Sequence, residues 1–434
     1  MKKYLLLFLA ACILTACNET PKQHSDKKSA IVNRAEIEPY LKAEAQDLAV
    51  FTAQLDSLRS RVDENPIGIL RLAALASKLE EGFDMYGDVS MLNESVRFRE
   101  SVTQNTAIKP ELSKRILAQS YIKQHKFKKA DSLMKSFTGD YASRASKLIM
   151  FDIHMELGEY DAAQDLLTEI RKERDYNYHI RAAKWNDYLG RLDNTIDHME
   201  TALELADGSG NQAYQLWTYS NIADYYGHNG DIEKSYRHFL KTLELDPGNT
   251  YALRGISWIA YSNDENPELA LEILNGLYKR HPSPDYLLLM AEVYEWTGNP
   301  DKATELSKEF LKRISNPAYG NMYNTYRIEK LLEGSRREKL EALEIAKSEI
   351  KNRATPEIYD LVAYSYLKTG DASRALNIYE KFVKGKTHEP VAALHSAIIL
   401  KANGDMDNVT TYKNDLLEAR YELGPVTYKE VESL

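Results

Sequence analysis

The chain has 434 residues, with 56 Lys and Arg against 65 Asp and Glu and a net charge of −9. That length is large for one compact core and favours a modular or repeated architecture. The acidic balance speaks against nucleic acid, which needs a basic stripe, and against docking on anionic lipid by charge alone.

Met1, Lys2 and Lys3 form a basic head, and residues 4–13 are an apolar run too short for a permanent membrane helix. Leu14-Thr15-Ala16-Cys17 follows. A basic head, a short apolar run and small residues describe a secretory signal. With the Cys in that place, the segment resembles the lipobox of bacterial lipoproteins. The resemblance implies that residues 1–16 are a signal peptide and that Cys17 carries acyl chains, palmitate among them. Several chains on one residue give a stable anchor where a single chain would not. The only other Cys is Cys12, inside the removed run. The mature chain is therefore expected to have no disulfide, no thiol nucleophile and no Cys metal site.

Residues 17–33 are polar and charged, too poor in apolar groups to order themselves, and read as a tether whose ends lie roughly 20–25 Å apart. From about Ala35 onward the apolar spacing is helical, with no convincing alternating strand. Residues 34–109 read as N-terminal helices and a degenerate unit that turns at Tyr86-Gly87-Asp88. Residues 110–420 read as a repeat array and 421–434 as a C-terminal tail.

The repeat is clearest at Tyr219, Ile222, Ala223 and Tyr226, one face of a helix. His228-Asn229-Gly230-Asp231 then supplies a helix-ending Gly and a helix-starting Asp. Ser235, Phe239 and Leu243 line the second helix, which Asp246-Pro247 stops. Tyr359, Val362, Ala363 and Tyr366 before Gly370-Asp371 repeat the pattern, as do Leu287, Met290, Ala291 and Tyr294 before Gly298-Asn299. Turn glycines at 158, 190, 230, 298, 370 and 404 are spaced by about 34 residues or about twice that. Residues 207–211 read as an extra loop, and residues 264–267 and 334–335 as irregular turns.

This unit resembles the tetratricopeptide repeat. The resemblance implies an all-α fold, a right-handed superhelical solenoid of antiparallel helix pairs with about nine to ten repeats. Small residues such as Ala223, Ala303, Ala363 and Ala375 let the helices approach, and Tyr226, Tyr294 and Tyr366 fill the space beside them. Trp258 takes the same packing position and is expected in the core.

Chemistry is sparse. None of the ten histidines forms His-Glu-x-x-His, and there is no Gly-x-Ser-x-Gly elbow, phosphate-cradling loop or calcium loop. No enzyme activity, cofactor or metal is expected. The family binds along the concave side, lined by first helices. Helical phase places Trp217, Ser220, Asp224 and His228 there in one unit. Asp285, Glu292, Glu295 and Trp296 follow in the next, then Glu357, Asp360, Tyr364 and Lys368. Two exposed Trp and several carboxylates would suit a peptide with basic and apolar groups. The expectation is a lipid-anchored adaptor for an envelope protein or peptide, in the outer membrane and facing the periplasm. In general plan it resembles tetratricopeptide lipoproteins of barrel assembly, pilus secretin assembly or peptidoglycan-hydrolase docking. The alternative is a carbohydrate-binding lipoprotein on the same scaffold.

Overall fold

The computed structural model describes residues 30–42, 48–106, 110–136 and 143–434. The expected signal peptide, Cys17 and most of the tether lie outside the described residues. Among the described residues all regular structure is helical, and no helix is long and apolar enough to cross a membrane.

Among the described residues, ten antiparallel pairs follow two leading helices, α1 (Arg34–Leu41) and α2 (Leu48–Glu64). The first five pairs are α3 (Ile69–Tyr86) with α4 (Val89–Asn105), α5 (Pro110–Lys123) with α6 (Phe127–Lys135), α7 (Arg144–Leu157) with α8 (Tyr160–Glu169), α9 (Tyr176–Tyr188) with α10 (Leu192–Ser209), and α11 (Gln212–His228) with α12 (Ile232–Leu245). The next five are α13 (Thr250–Trp258) with α14 (Pro267–Arg280), α15 (Asp285–Trp296) with α16 (Pro300–Ile314), α17 (Asn324–Leu332) with α18 (Arg336–Asn352), α19 (Pro356–Lys368) with α20 (Ala372–Ile378), and α21 (Pro390–Ala402) with α22 (Met406–Glu418). Helix α23 (Arg420–Glu432) closes the chain. Each second helix also packs on the first helix of the next pair, which makes the array a solenoid.

Local sequence explains the pairs. The six turn glycines all take positive φ, from 66° at Gly190 to 100° at Gly370. Asp371 and Asp405 then accept a main-chain N–H of the following turn, a cap of about 1 kcal/mol. Ala223, Ala363 and Ala375 are fully buried where helices cross. Gly255 permits the closest approach: a Cβ there would lie 2.2 Å from the Phe239 ring.

Two expectations about turns need correction. Residues 207–209 are not loop. They extend α10, which ends only at Gly210 in the left-handed region, and Asn211 caps α11 by accepting from Ala213 and Tyr214. The irregular turn near 264 begins earlier, as a π-helical turn at Ile259–Asn263 that continues α13.

The solenoid also closes on itself. Glu156 accepts from Arg353, 197 residues later, at 3.2 Å, and Gly158 abuts the carbonyl of Ala354. The main-chain carbonyl of Met85 lies 3.2 Å from His281 Nδ1, and Gly190 abuts His388. Turns of early pairs thus rest on the starts of later ones.

Both ends of the described body are tied to its middle. The N–H groups of Ile31 and Val32 donate to the two Asp264 carboxylate oxygens at 3.0 and 2.8 Å. Ile37 is fully buried there, and Glu36 takes bonds from Tyr236 and Arg237. The C-terminal residues, expected as a tail, instead fold back as α23 against α11, α15, α21 and the π-helical turn. A tail of polar residues would stay in water, but Leu423 and Val431 bury themselves with Leu394 and Leu416.

Candidate partner-binding face

The first helices α11, α15 and α19 carry the twelve residues expected to line a groove. They do not form one open surface.

On α11, Trp217 is 42% exposed, with its ring edge-on to Tyr176 on α9. Ser220 is buried at 6% exposure, and its hydroxyl donates to the carbonyl of Trp217. It is therefore spent inside its own helix and not offered to a ligand. Asp224 accepts the Tyr251 hydroxyl, and Arg254 stacks over the Tyr251 ring at 5.2 Å. Burial raises the Asp224 pKa, and the Tyr251 bond opposes the rise. His228 holds Glu422 of the C-terminal segment at 2.7 Å. Burial alone would lower the His228 pKa, but the bond and charge of Glu422, with the charges of Asp224 and Asp187, together outweigh it.

On α15, Asp285 takes the Ser283 hydroxyl, and its charge reaches Arg254. Arg254 thus joins Asp224 and Asp285 into one electrostatic group. Glu292 accepts the Tyr261 hydroxyl at 3.1 Å. Burial pushes its carboxyl up to about 7, against the Tyr261 bond and the Lys330 charge. Glu295 is exposed beside it. Trp296 is not a free aromatic. It is partly buried, packing edge-on against Tyr261 at 5.5 Å and against the main core. The pair of exposed Trp expected from sequence is therefore reduced to Trp217.

On α19, Asp360 is 3% exposed and pairs with His395 of α21 at 2.6 Å. Burial would lower the His395 pKa, but the Asp360 carboxylate raises it. Tyr364 stacks on the same imidazole at 3.7 Å, and Lys368 lies over the Tyr364 ring at 4.9 Å. Asp360 and Tyr364 hold two pairs together and are closed to a ligand. Glu357 stays half-buried on the inner side, where its charge acts on Tyr160 and Tyr188.

Sequence reasoning missed four participants. Trp258, expected only as core, donates its indole N–H to the Tyr421 carbonyl at 3.0 Å. Tyr251, Arg254 and His395 partner the expected carboxylates. Each sits on a first helix near the expected stripe, so helical phase could have flagged the position but not the partner. Asp224, His228, Trp258 and Tyr421 line a cavity of about 170 Å³ together with Glu389 and Glu422. No group of three or more His, Cys, Asp or Glu side chains among the described residues is arranged to hold a metal.

The helix pairs that carry α15, α19 and α21 also carry a family match. Residues 268–421 match the tetratricopeptide repeat family model. The tetratricopeptide match begins within α14 and ends at Tyr421, so it takes in Glu292, Asp360 and His395. No curated protein matches the chain. Among solved structures, a Pseudomonas aeruginosa pilF structure is 17% identical, covering 51% of this chain and 98% of its own, with a TM-score of 0.31. A signal-transduction ATPase with a tetratricopeptide repeat sensor from Pyrococcus horikoshii is 14% identical over 88% of this chain and 56% of its own, with a TM-score of 0.42. Yeast Tom70 is 14% identical over 89% of this chain and 85% of its own, with a TM-score of 0.40.

Proposed function

We propose that this chain is a lipid-anchored tetratricopeptide scaffold that holds a protein partner in the bacterial envelope. The observation that carries the reading is the face formed by the first helices α11 and α15, where exposed Trp217 and Glu295 neighbour carboxylates held in their own hydrogen-bond network. Such a face combines an aromatic anchor with polar groups of fixed orientation. The glycan alternative is weaker, because Trp296 is partly buried edge-on against Tyr261 and Trp217 alone of the two expected indoles stands exposed.

Anchoring rests on the resemblance of residues 14–17 to a lipobox. Cys17 takes the lipid in this reading; Asn18 in place of the Asp of an inner-membrane retention signal favours the outer membrane, and the lack of a strongly acidic run after Cys17 favours its periplasmic side. The pinning of Ile31 and Val32 at Asp264 adds a consequence. Only residues 18–30 would separate the lipid from the middle of the body, a span of about 20 Å if it is a flexible coil.

Labelling of growing cells with radioactive palmitate tests the anchor. The full chain should incorporate label and fractionate with membranes, and Cys17→Ser should lose both. Crosslinking followed by purification from detergent-solubilised envelopes tests the scaffold. A stoichiometric protein partner is expected, and recovery of the chain alone would refute that part of the reading.

A further inference from the structure

Residues 420–426 lie on the inner face as a ligand would. The Tyr421 side chain covers Gly227, where a Cβ would come within 2.7 Å of its ring. Its main-chain carbonyl accepts from Trp258 Nε1 at 3.0 Å and from Ser262 Oγ at 2.8 Å. In an uninterrupted helix that carbonyl would be taken by the N–H of residue 425, but residue 425 is Pro and has none. Glu422 then reaches His228, and Leu423 enters the cluster of Leu394 and Leu416. At Gly424 the backbone leaves the helix, with φ 72° and ψ 162°. A Cβ there would meet Glu292 Oε1 at 2.7 Å and Trp258 at 2.8 Å.

These contacts differ from those of a fixed core. Trp258 and Ser262 read a main-chain carbonyl, which any segment of suitable shape offers. The ion pairs His228–Glu422 and Arg420–Glu265 are partly open to solvent, and such pairs add little stability. A cavity of about 170 Å³ remains between the segment and its wall. The second half of α23 has its own attachment, since Val431 is fully buried and Lys401 binds the carbonyls of Ser433 and Leu434.

We propose that residues 420–426 are a displaceable internal ligand of a peptide groove formed by Gly227, His228, Trp258, Ser262 and Glu292. The partner segment that replaces them carries the same chemistry: an aromatic residue, a carboxylate, an apolar residue and then glycine with a helix break. The proposal rests on the scaffold reading and names its site and ligand class. It also refines the expectation of a basic ligand, because at this point of the acidic face the cation is His228 and the ligand supplies the acid.

The test uses the full chain and a fluorescein-labelled peptide with the sequence of residues 418–428. Gly424→Val cannot keep the docked backbone and should release the segment, seen as faster hydrogen exchange over residues 420–426. Peptide affinity should then rise about tenfold over the unchanged chain, because the internal competitor is gone. Adding Gly227→Leu, which fills the seat of the Tyr421 ring, should abolish binding. Glu422→Lys leaves the backbone intact and should give the same order of effects in smaller measure if Gly424→Val fails to fold. Unchanged exchange in both variants would identify a permanent cap and overturn the proposal. A released segment with no gain in peptide binding would overturn it too. In that case, a protein partner still crosslinked from position 217 leaves the scaffold reading standing. Loss of that partner as well removes both.

Discussion

The indole N–H of Trp258 donates to the carbonyl of Tyr421, 163 residues further along the chain. The same carbonyl takes the Ser262 hydroxyl, so two donors serve one acceptor. Either Trp258→Phe or Ser262→Ala alone should cost about 1 kcal/mol, since the carbonyl keeps one partner. The double variant should cost more than the sum, because a buried carbonyl is then orphaned. A double-mutant cycle in urea reads the coupling, and simple additivity would show that the carbonyl is solvated.

The closure between early and late turns is separable from the turns themselves. Gly158 and Gly298 share nearly the same φ, 75° and 78°. A Cβ on Gly158 would meet the Ala354 carbonyl at 2.7 Å, whereas one on Gly298 meets nothing within 4 Å. Gly298→Ala should cost about 1–2 kcal/mol for the left-handed backbone alone. Gly158→Ala should cost clearly more and should speed hydrogen exchange near residue 354. Equal costs would mean that the two turns do not bear on each other.

The turns show what was legible in the sequence and what was not. Gly158, Gly190, Gly230, Gly298, Gly370 and Gly404 announced helix ends because a left-handed cap is a local requirement of the backbone. The ten pairs followed from the same local spacing. The contact of Arg353 with Glu156 was not legible, because it depends on the summed curvature of many units. Phase put Asp360 on the groove face of its helix, but it is buried because α21 brings His395 over it. Trp258 was read as core from its position, and the partner its indole N–H finds at Tyr421 comes from a distant element. The docking of α23 depends on Pro425 freeing one carbonyl, a signal whose meaning needs the wall it faces.

Two residues once grouped on one face should separate in stability. Asp360→Ala leaves the His395 imidazole buried without its carboxylate, which typically costs about 3–5 kcal/mol. Trp217→Ala removes a ring that is 42% exposed and should cost under about 1 kcal/mol. Chemical unfolding distinguishes them, and comparable losses would contradict the burial of the Asp360–His395 pair.

The first residues of the N-terminal segment are held by one side chain, Asp264. Asp264→Ala removes both acceptors of the Ile31 and Val32 N–H groups. Residues 31–42 should then exchange faster while the rest of the solenoid stays protected. Unchanged protection would mean that Ile37 and Glu36 suffice to hold the segment.

Docking of the C-terminal segment should weaken as pH rises. Burial pushes Glu292 from 4.5 up to about 7, and Glu422 raises His228 above its ordinary 6.5 against the effect of burial. Asp187, Asp224 and Glu389 around the same cavity are also raised, by burial first. The docked state therefore binds more protons than the released one. Its advantage from Glu292 is complete below pH 4.5 and lost as pH rises through about 7. The advantage from His228 is complete below 6.5 and lost as pH rises through its higher folded value. Hydrogen exchange over residues 420–426, corrected for intrinsic rates, should show more opening at about pH 8 than at about pH 5. The reverse trend would refute this assignment.

Site-specific photocrosslinking in intact cells bears most directly on the inner face as the place of binding. A photoreactive residue at Trp217 should give one discrete protein adduct. The same group at Leu340, exposed on the second helix α18, should give none. An adduct from position 340 alone, or from neither position, would contradict the inner face as the partner-binding surface.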